Sequence, residues 1–295
     1  MAKRNKYWKQ IILFLLPVLF LFTLFFIYPL VYVIFTSFTE WNGIGAMKFH
    51  WFKNYRVLFT SETFRISFRN NIIWALVLGL VQIPLAAGMA MILARKPHGW
   101  KTFRTVYFLP NVISQVALAM MWMAVYNAEF GMLNGLFESL GLEGWTHNWL
   151  GEYETAFPAV IFQQLFYIGY FMIVILASRM GIPDSFYEAA EIDGANIFRQ
   201  EVHITIPMLR GILVTTMTLA MAFGMRHFES TFLMTNGGPA HQTSVMGILL
   251  YRDMGALRLG EANTIGTILI FSGGAVIALL RWLFGRNNSA SETSQ

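Results

Sequence analysis

The sequence predicts an all-α polytopic membrane protein with six transmembrane helices, and three observations predict it. Of its 295 residues 56% are hydrophobic and 13% are charged, against about 25% charged in an average soluble domain. A mean hydropathy of +0.52, with 27 Phe and 17 Met, is too apolar for a soluble core. The apolar residues also gather into separate runs, each near the roughly 20 residues a helix needs to cross a bilayer.

The expected chain order begins with a cytoplasmic N-terminal segment, residues 1–10, carrying Lys3, Arg4, Lys6 and Lys9. Six spans follow in one membrane domain, 11–286: Ile11–Phe38, Asn71–Ala94, Val106–Tyr126, Ala156–Ala177, Ile212–Thr235 and Thr264–Phe284. The first run has the basic flank of a secretory signal. It is too long for a signal core and lacks a small-residue cleavage site, so it reads as a retained anchor. The loop Thr39–Asn70 holds Trp41, Phe49, Trp51, Phe52 and Tyr55, which predicts an interfacial helix with an aromatic face. The Ser/Asn-rich tail 287–295 is expected to be disordered.

Basic residues set the orientation. With both termini cytoplasmic, the inner loops hold Arg95, Lys96, Lys101 and Arg104, then Arg179, Arg199 and Arg210, while the outer stretch Asn127–Thr155 has five Glu and no Lys or Arg. Lys48, Lys53, Arg56, Arg65 and Arg69 run against the rule, as early translocated loops can. The small-residue stretches Ala86-Ala87-Gly88 and Gly273-Gly274-Ala275 suit close helix packing.

Several function classes drop out. There is no Cys, hence no disulfide framework or thiolate metal site. No G-x-x-x-x-G-K-[ST] loop occurs, so this chain cannot hydrolyse ATP itself. There is no H-E-x-x-H and no G-x-S-x-G, and the six His fall in unrelated segments. We therefore expect no catalytic residues, no metal and no cofactor. The Lys and Arg residues are scattered between apolar runs, which argues against a nucleic-acid partner.

Two groups of polar residues remain. The first is the cytoplasmic loop 178–211. Pro183 forbids simple continuation of the fourth span, and Asp184 or Ser185 can cap a new helix near Phe186. Glu188, Ala189 and Ala190 give that helix a narrow surface, Asp193 follows, and Gly194 suits its C-terminus. Phe198, Val202 and Ile206 then recur at helical spacing, and Pro207 marks entry to the fifth span. Alone, this reads equally as a solvated hairpin joining two spans.

The second group is Arg226, His227 and Glu229, inside the fifth apolar run. A charge at the bilayer centre is unfavourable by about 2.5–3.5 kcal/mol, so these residues face the bundle interior or a wet cavity. Arg226 and Glu229 are three apart and could form an intrahelical ion pair. Alternatively they line a translocation path, with sugar hydroxyls as ligand or a uronate carboxylate that would suit the fork of Arg. Asn111, Gln115, Gln163, Gln164, Tyr167 and Tyr170 are further candidates for the path, supplying hydrogen-bonding groups and aromatic faces, or else act as interhelical glue. A stand-alone secondary transporter using Arg226, His227 and Glu229 is the alternative reading.

The spacing E-A-A-x3-G-x9-I-x-I-P, from Glu188 through Gly194, Ile204 and Ile206 to Pro207, resembles the cytoplasmic coupling loop of permease subunits in ATP-binding-cassette (ABC) importers. Ile206 stands where that family usually has Leu. Phe108-Leu109-Pro110-Asn111 with Trp122, and Gly131-Met132-Leu133-Asn134, are similar to sugar permeases. Thr235-Asn236-Gly237-Gly238-Pro239 is similar to a segment of the maltose type, and within that type to the first, F-type, permease partner.

The resemblance implies a type I importer permease fold in the bacterial inner membrane and a carbohydrate substrate. It implies three partners: a second permease subunit, a dimeric ABC ATPase that uses the ATP, and an extracytoplasmic substrate-binding protein, with membrane lipid around them. It implies ATPase coupling through Glu188, Ala189, Ala190, Asp193, Gly194, Ile204 and Pro207. It also suggests an outer gate or binding-protein contact at Asn236, Gly237, Gly238 and Pro239.

Overall fold

A computed structural model describes residues 8–285; the N-terminal residues before Trp8 and the 287–295 tail lie outside the described residues. Two compact units form, one from the chain up to Ser61 together with Leu249–Ile270, the other from Glu62–Ile248 together with the chain from Phe271.

In the first unit, α1 (Ile11–Thr36) is apolar on all sides and none of its apolar window is buried by the chain, as expected of a helix solvated by acyl chains. At its end Thr36 Oγ1 donates to the Tyr32 carbonyl at 2.8 Å, and Ser37 Oγ lies 2.7 Å from Tyr55 Oη. Strands β1 (Thr39–Glu40) and β2 (Lys48–Phe49) pair antiparallel, Thr39 opposite Phe49. Gly43 and Gly45, at φ +92° and +85°, make the turn between them. The short helix α2 (Lys53–Thr60) follows, tied back where Asn54 Nδ2 donates to the carbonyls of Ser37 and Thr39.

The expected single interfacial helix over Thr39–Asn70 is therefore a hairpin plus one short helix. Its aromatic face exists: Phe38 packs 5.4 Å from Phe52 and 5.3 Å from Tyr55, and Trp51 and Phe52 stay exposed.

The second unit opens with α3 (Glu62–Ala94), which begins at Glu62 rather than Asn71. Arg65 and Arg69 thus sit on the first turns of a crossing helix, not in the preceding loop. A π stretch at Leu78–Gln82 relaxes the helix just ahead of Pro84, whose missing N–H interrupts the ladder. The expected third span is broken into α4 (Trp100–Asn111) and α5 (Gln115–Val125), bent by 99°. Pro110 ends the first piece and Ser114 starts the second, its Oγ accepting from the Ala117 N–H. After α6 (Met132–Ser139), the fourth span consists of α7 (Ala156–Gln164) and α8 (Gly169–Arg179).

Ala86 and Ala87 are buried, as the small-residue pattern predicted, with Ala90 beside them, and α8 packs along this second half of α3. Gly88, Gly273 and Gly274 face no neighbour.

The polar loop holds α9 (Ser185–Ile192) and α10 (Ile197–Met208). A 73° bend leads into α11 (Arg210–Met225), and α12 (Glu229–Thr235) follows after a break at Arg226–Phe228. The fifth span is thus discontinuous. Helices α13 (Met246–Gly255) and α14 (Leu259–Gly285) complete the chain. Among the described residues four helices are long and apolar enough to cross a membrane, or six with each bent pair as one span, in agreement with the expected number.

Gly224 is where α11 meets α3 backbone to backbone. A Cβ there would stand 2.5 Å from both Cα and N of Ala75, so α11 cannot keep its seat with a larger residue. Gly224→Val is expected to destabilise the fold by about 1–3 kcal/mol or more, as overpacking does. The check is thermal unfolding in detergent followed by size exclusion; an unchanged midpoint would contradict this packing.

Candidate functional site: a coupling surface and a helix-break cavity

The loop helix α9 is built much as the spacing predicted. Its C-terminus closes with two bonds, Gly194 N–H to the Glu191 carbonyl at 3.0 Å and Ala195 N–H to the Ala190 carbonyl at 2.8 Å. That pattern requires the left-handed φ of +76° found at Gly194. The N-terminus differs from expectation. Asp184 holds the capping position without a side-chain bond, and its carbonyl accepts from Tyr187 and Glu188 instead. Asn196 Oδ1 then accepts from the Arg199 N–H and starts α10.

Glu188, Ala189, Asp193 and Gly194 are exposed and Ala190 is half-buried, while Ile204 packs against the core. Pro207 is exposed and sits inside α10; the bend toward the fifth span comes two residues later, at Leu209. Apolar side chains stand out of this polar loop, Ile192 at 88% and Phe198 at 75% exposed, with Phe186 and Ile197 nearby in sequence. Large apolar groups held in water mark an interaction surface.

The second feature is a cavity of about 460 Å3 at the break between α11 and α12, within the roughly 300–1,000 Å3 of small-molecule sites. Gln82, Asn111, Gln115 and Gln164 supply amides, Tyr167, Tyr170, Phe171 and Phe223 supply aromatic surface, and Arg226, His227 and Glu229 complete it. Its shape rests on buried neighbours. Asn71 Nδ2 donates to the Met225 carbonyl at 3.0 Å and is 3.4 Å from that of Gly224, the last carbonyls of α11. The His227 ring stacks on fully buried Trp74 at 3.7 Å between centroids, and Nε2 is 2.7 Å from Ser230 Oγ.

No ion pair joins Arg226 to Glu229 among the described residues, because the helix that would align them is interrupted. Each charge is stabilised by a helix end instead. Arg226 follows the C-terminus of α11 and Glu229 opens α12, the ends that favour a cation and an anion respectively.

Most of the expected path residues converge here: Asn111, Gln115, Gln164, Tyr167, Tyr170, Arg226, His227 and Glu229. Gln163 does not; it is buried in the core, and the neighbouring Gln164 lines the cavity. Leu78, Gln82, Phe171 and Phe223 also line the cavity and were not among the expected residues. The signal for Gln82 was present, since Asn71 and Gln82 are polar intrusions eleven residues apart on one face of an apolar helix. At the outer turn Gly237 is buried and Gly238 and Pro239 are half-buried, the Gly238 carbonyl accepting from Thr243 Oγ1 at 2.8 Å; Asn236 is exposed.

Residues 82–288 match the protein family described as binding-protein-dependent transport system inner membrane component. The chain belongs to this family. It is the multi-pass permease subunit of an ABC importer and, as a transport subunit, not itself an enzyme. The permease is 36% identical over 272 residues to the probable ABC transporter permease protein YurN of Bacillus subtilis, covering 88% of this chain and 90% of that one. It is 32% identical over 252 residues to the xylose/arabinose import permease protein XacH of Haloferax volcanii, covering 82% and 77%. It is also 30% identical over 263 residues to the diacetylchitobiose uptake system permease protein NgcF of Streptomyces coelicolor, covering 84% and 74%. Its fold is that of a bacterial ABC transporter involved in the import of the acidic polysaccharide alginate, at a TM-score of 0.83, 21% identity and coverage of 97% and 98%.

Proposed function

We propose that the permease imports a hydroxyl-rich carbohydrate through the helix-break cavity and is driven by a separate ATPase seated on α9. The observation that carries the reading is the cavity itself, in which amides, aromatic faces and two charges with no ion-pair partner among the described residues surround one space. Sugar hydroxyls need both donors and acceptors, and sugar C–H faces need aromatic surface. Because Arg226 is balanced by Glu229, the lining favours a neutral sugar over a uronate. The xylose/arabinose and diacetylchitobiose named for two of its relatives agree with a carbohydrate.

In operation, a binding protein delivers sugar at the outer face and a second permease completes the path. Closure of the ATP-bound ATPase dimer moves α9, and the spans rock between inward- and outward-open states. Asn236 and the turn through Pro239 serve the outer end, as gate or as binding-protein contact.

In proteoliposomes containing the assembled importer, Arg226→Gln and Glu229→Gln should each raise the sugar concentration for half-maximal uptake about 10–100-fold. That is the loss of one hydrogen bond to a charged group, about 1.5–3 kcal/mol. Unchanged uptake curves for every sugar accepted would remove the cavity from the path.

A further inference from the structure

Beneath the coupling surface lies a buried ionic cluster that neither the coupling motif nor the cavity uses. Arg95, just past the end of α3, donates from Nε and Nη2 to Glu201 Oε1 at 3.0 and 2.7 Å, and from Nη2 to Gln200 Oε1 at 3.0 Å. Arg179, at the end of α8, brings Nη2 to 3.8 Å from the same Glu201 oxygen. The Arg179 guanidinium also lies 3.9 Å from the ring centre of Tyr187, the residue before Glu188. Tyr187 Oη in turn hydrogen-bonds Thr205 Oγ1 at 2.9 Å. The side chains of Arg179 and Glu201 are only 8% and 11% exposed.

Such a cluster is a poor device for stability. Two cations share one carboxylate, so a positive charge is left over, and Arg179 Nε and Glu201 Oε2 have no hydrogen-bond partner among the described residues. Apolar side chains of similar volume would hold the same segments at least as well. What the ions add is direction and exclusivity, because Glu201 can satisfy both arginines only with α3, α8 and α10 in register. Tyr187 brings α9 into the same register through its ring and its hydroxyl.

We propose that Glu201, with Arg95, Arg179 and Tyr187, is a positioning lock that makes α9 and the adjoining ends of α3, α8 and α10 move as one body. Motion imposed on α9 is then passed whole to the ends of the second and fourth spans and to α10, which leads into the fifth, rather than absorbed in the loop. The lock rests on the coupling reading above. It names residues outside the motif, acting on the ratio of transport to hydrolysis rather than on ATPase binding.

The test uses the assembled importer in proteoliposomes, measuring sugar uptake and ATP hydrolysis on the same preparation. Glu201→Gln should keep ATP hydrolysis while lowering uptake per ATP about 5–150-fold, the range of a coupling between sites. The exchanged pair Arg95→Glu/Glu201→Arg should recover part of that ratio, and Glu201→Arg alone should not. Tyr187→Phe keeps the ring over Arg179 but removes the Thr205 bond, so it gives a smaller loss even where the exchanged pair fails to fold. A merely structural role would lower uptake and hydrolysis together and leave their ratio intact. An unchanged ratio in both Glu201→Gln and Tyr187→Phe overturns the lock. Absence of sugar-stimulated hydrolysis in the unmodified importer would overturn the coupling reading, and the lock with it.

Discussion

Gly194→Val is expected to bring ATP-driven uptake down to background while the protein still inserts, folds and binds detergent normally. The reason is conformational and not steric, since a Cβ at Gly194 would meet nothing within 4 Å. At φ +76° the residue lies in the left-handed region, unfavourable by roughly 1–2 kcal/mol for an ordinary L-residue and worse for a β-branched one. Valine would therefore unwind the last turn of α9, releasing the Glu191 and Ala190 carbonyls from Gly194 and Ala195. In a helix of eight residues, losing one turn displaces the whole docking face, including exposed Ile192. Gly194→Asn separates this from a side-chain effect, because Asn tolerates left-handed backbone. Uptake should be largely kept in the Asn variant and lost in the Val variant, alongside loss of co-purifying ATPase. Equal activity of the two would sink the account.

The parts of this molecule that were legible in sequence are those governed by hydrophobic length and by backbone chemistry. Runs of apolar residues gave the number of spans, and Gly194 marked a helix end because only a few residues adopt its backbone. Breaks inside spans were harder to see. Pro110 and Ser114 were visible as punctuation, yet an apolar run continued across them, and hydropathy averages over a bend of 99°. Arg226, His227 and Glu229 stood out as charged and polar groups inside an apolar run, but their helical spacing suggested a pair that the interruption of the helix prevents. The Arg95–Glu201–Arg179 cluster was out of reach. Its members are far apart in sequence, and Arg95 and Arg179 already had a sufficient explanation as inner-loop charges.

Asn71→Leu is expected to have the second large effect, and its failure should look unlike that of Gly194→Val. Asn71 is fully buried and serves three backbone groups: the carbonyls of Gly224 and Met225, and the Met246 N–H, which it accepts at 2.8 Å. Two are terminal carbonyls of α11 and the third is a first-turn N–H of α13, groups that a helix cannot satisfy internally. Leucine keeps the branched skeleton of asparagine but carries no polar atom, so the Met225 carbonyl and the Met246 N–H lose their partner, while the Gly224 carbonyl keeps the His227 N–H at 3.2 Å. Each loss is unfavourable by about 1–3 kcal/mol, a large share of the 5–15 kcal/mol that separates folded from unfolded states. The break holding Arg226 and His227 hangs from this side chain, with Trp74 one turn along the same helix, so the cavity should lose its shape before the bundle melts. The expected result is a lower unfolding midpoint and abolished uptake in a protein that still retains the ATPase, because α9 is untouched. If Asn71→Leu imported sugar normally, the helix break would not need its staple, and the charges at Arg226 and Glu229 would have to be positioned by α11 and α12 alone.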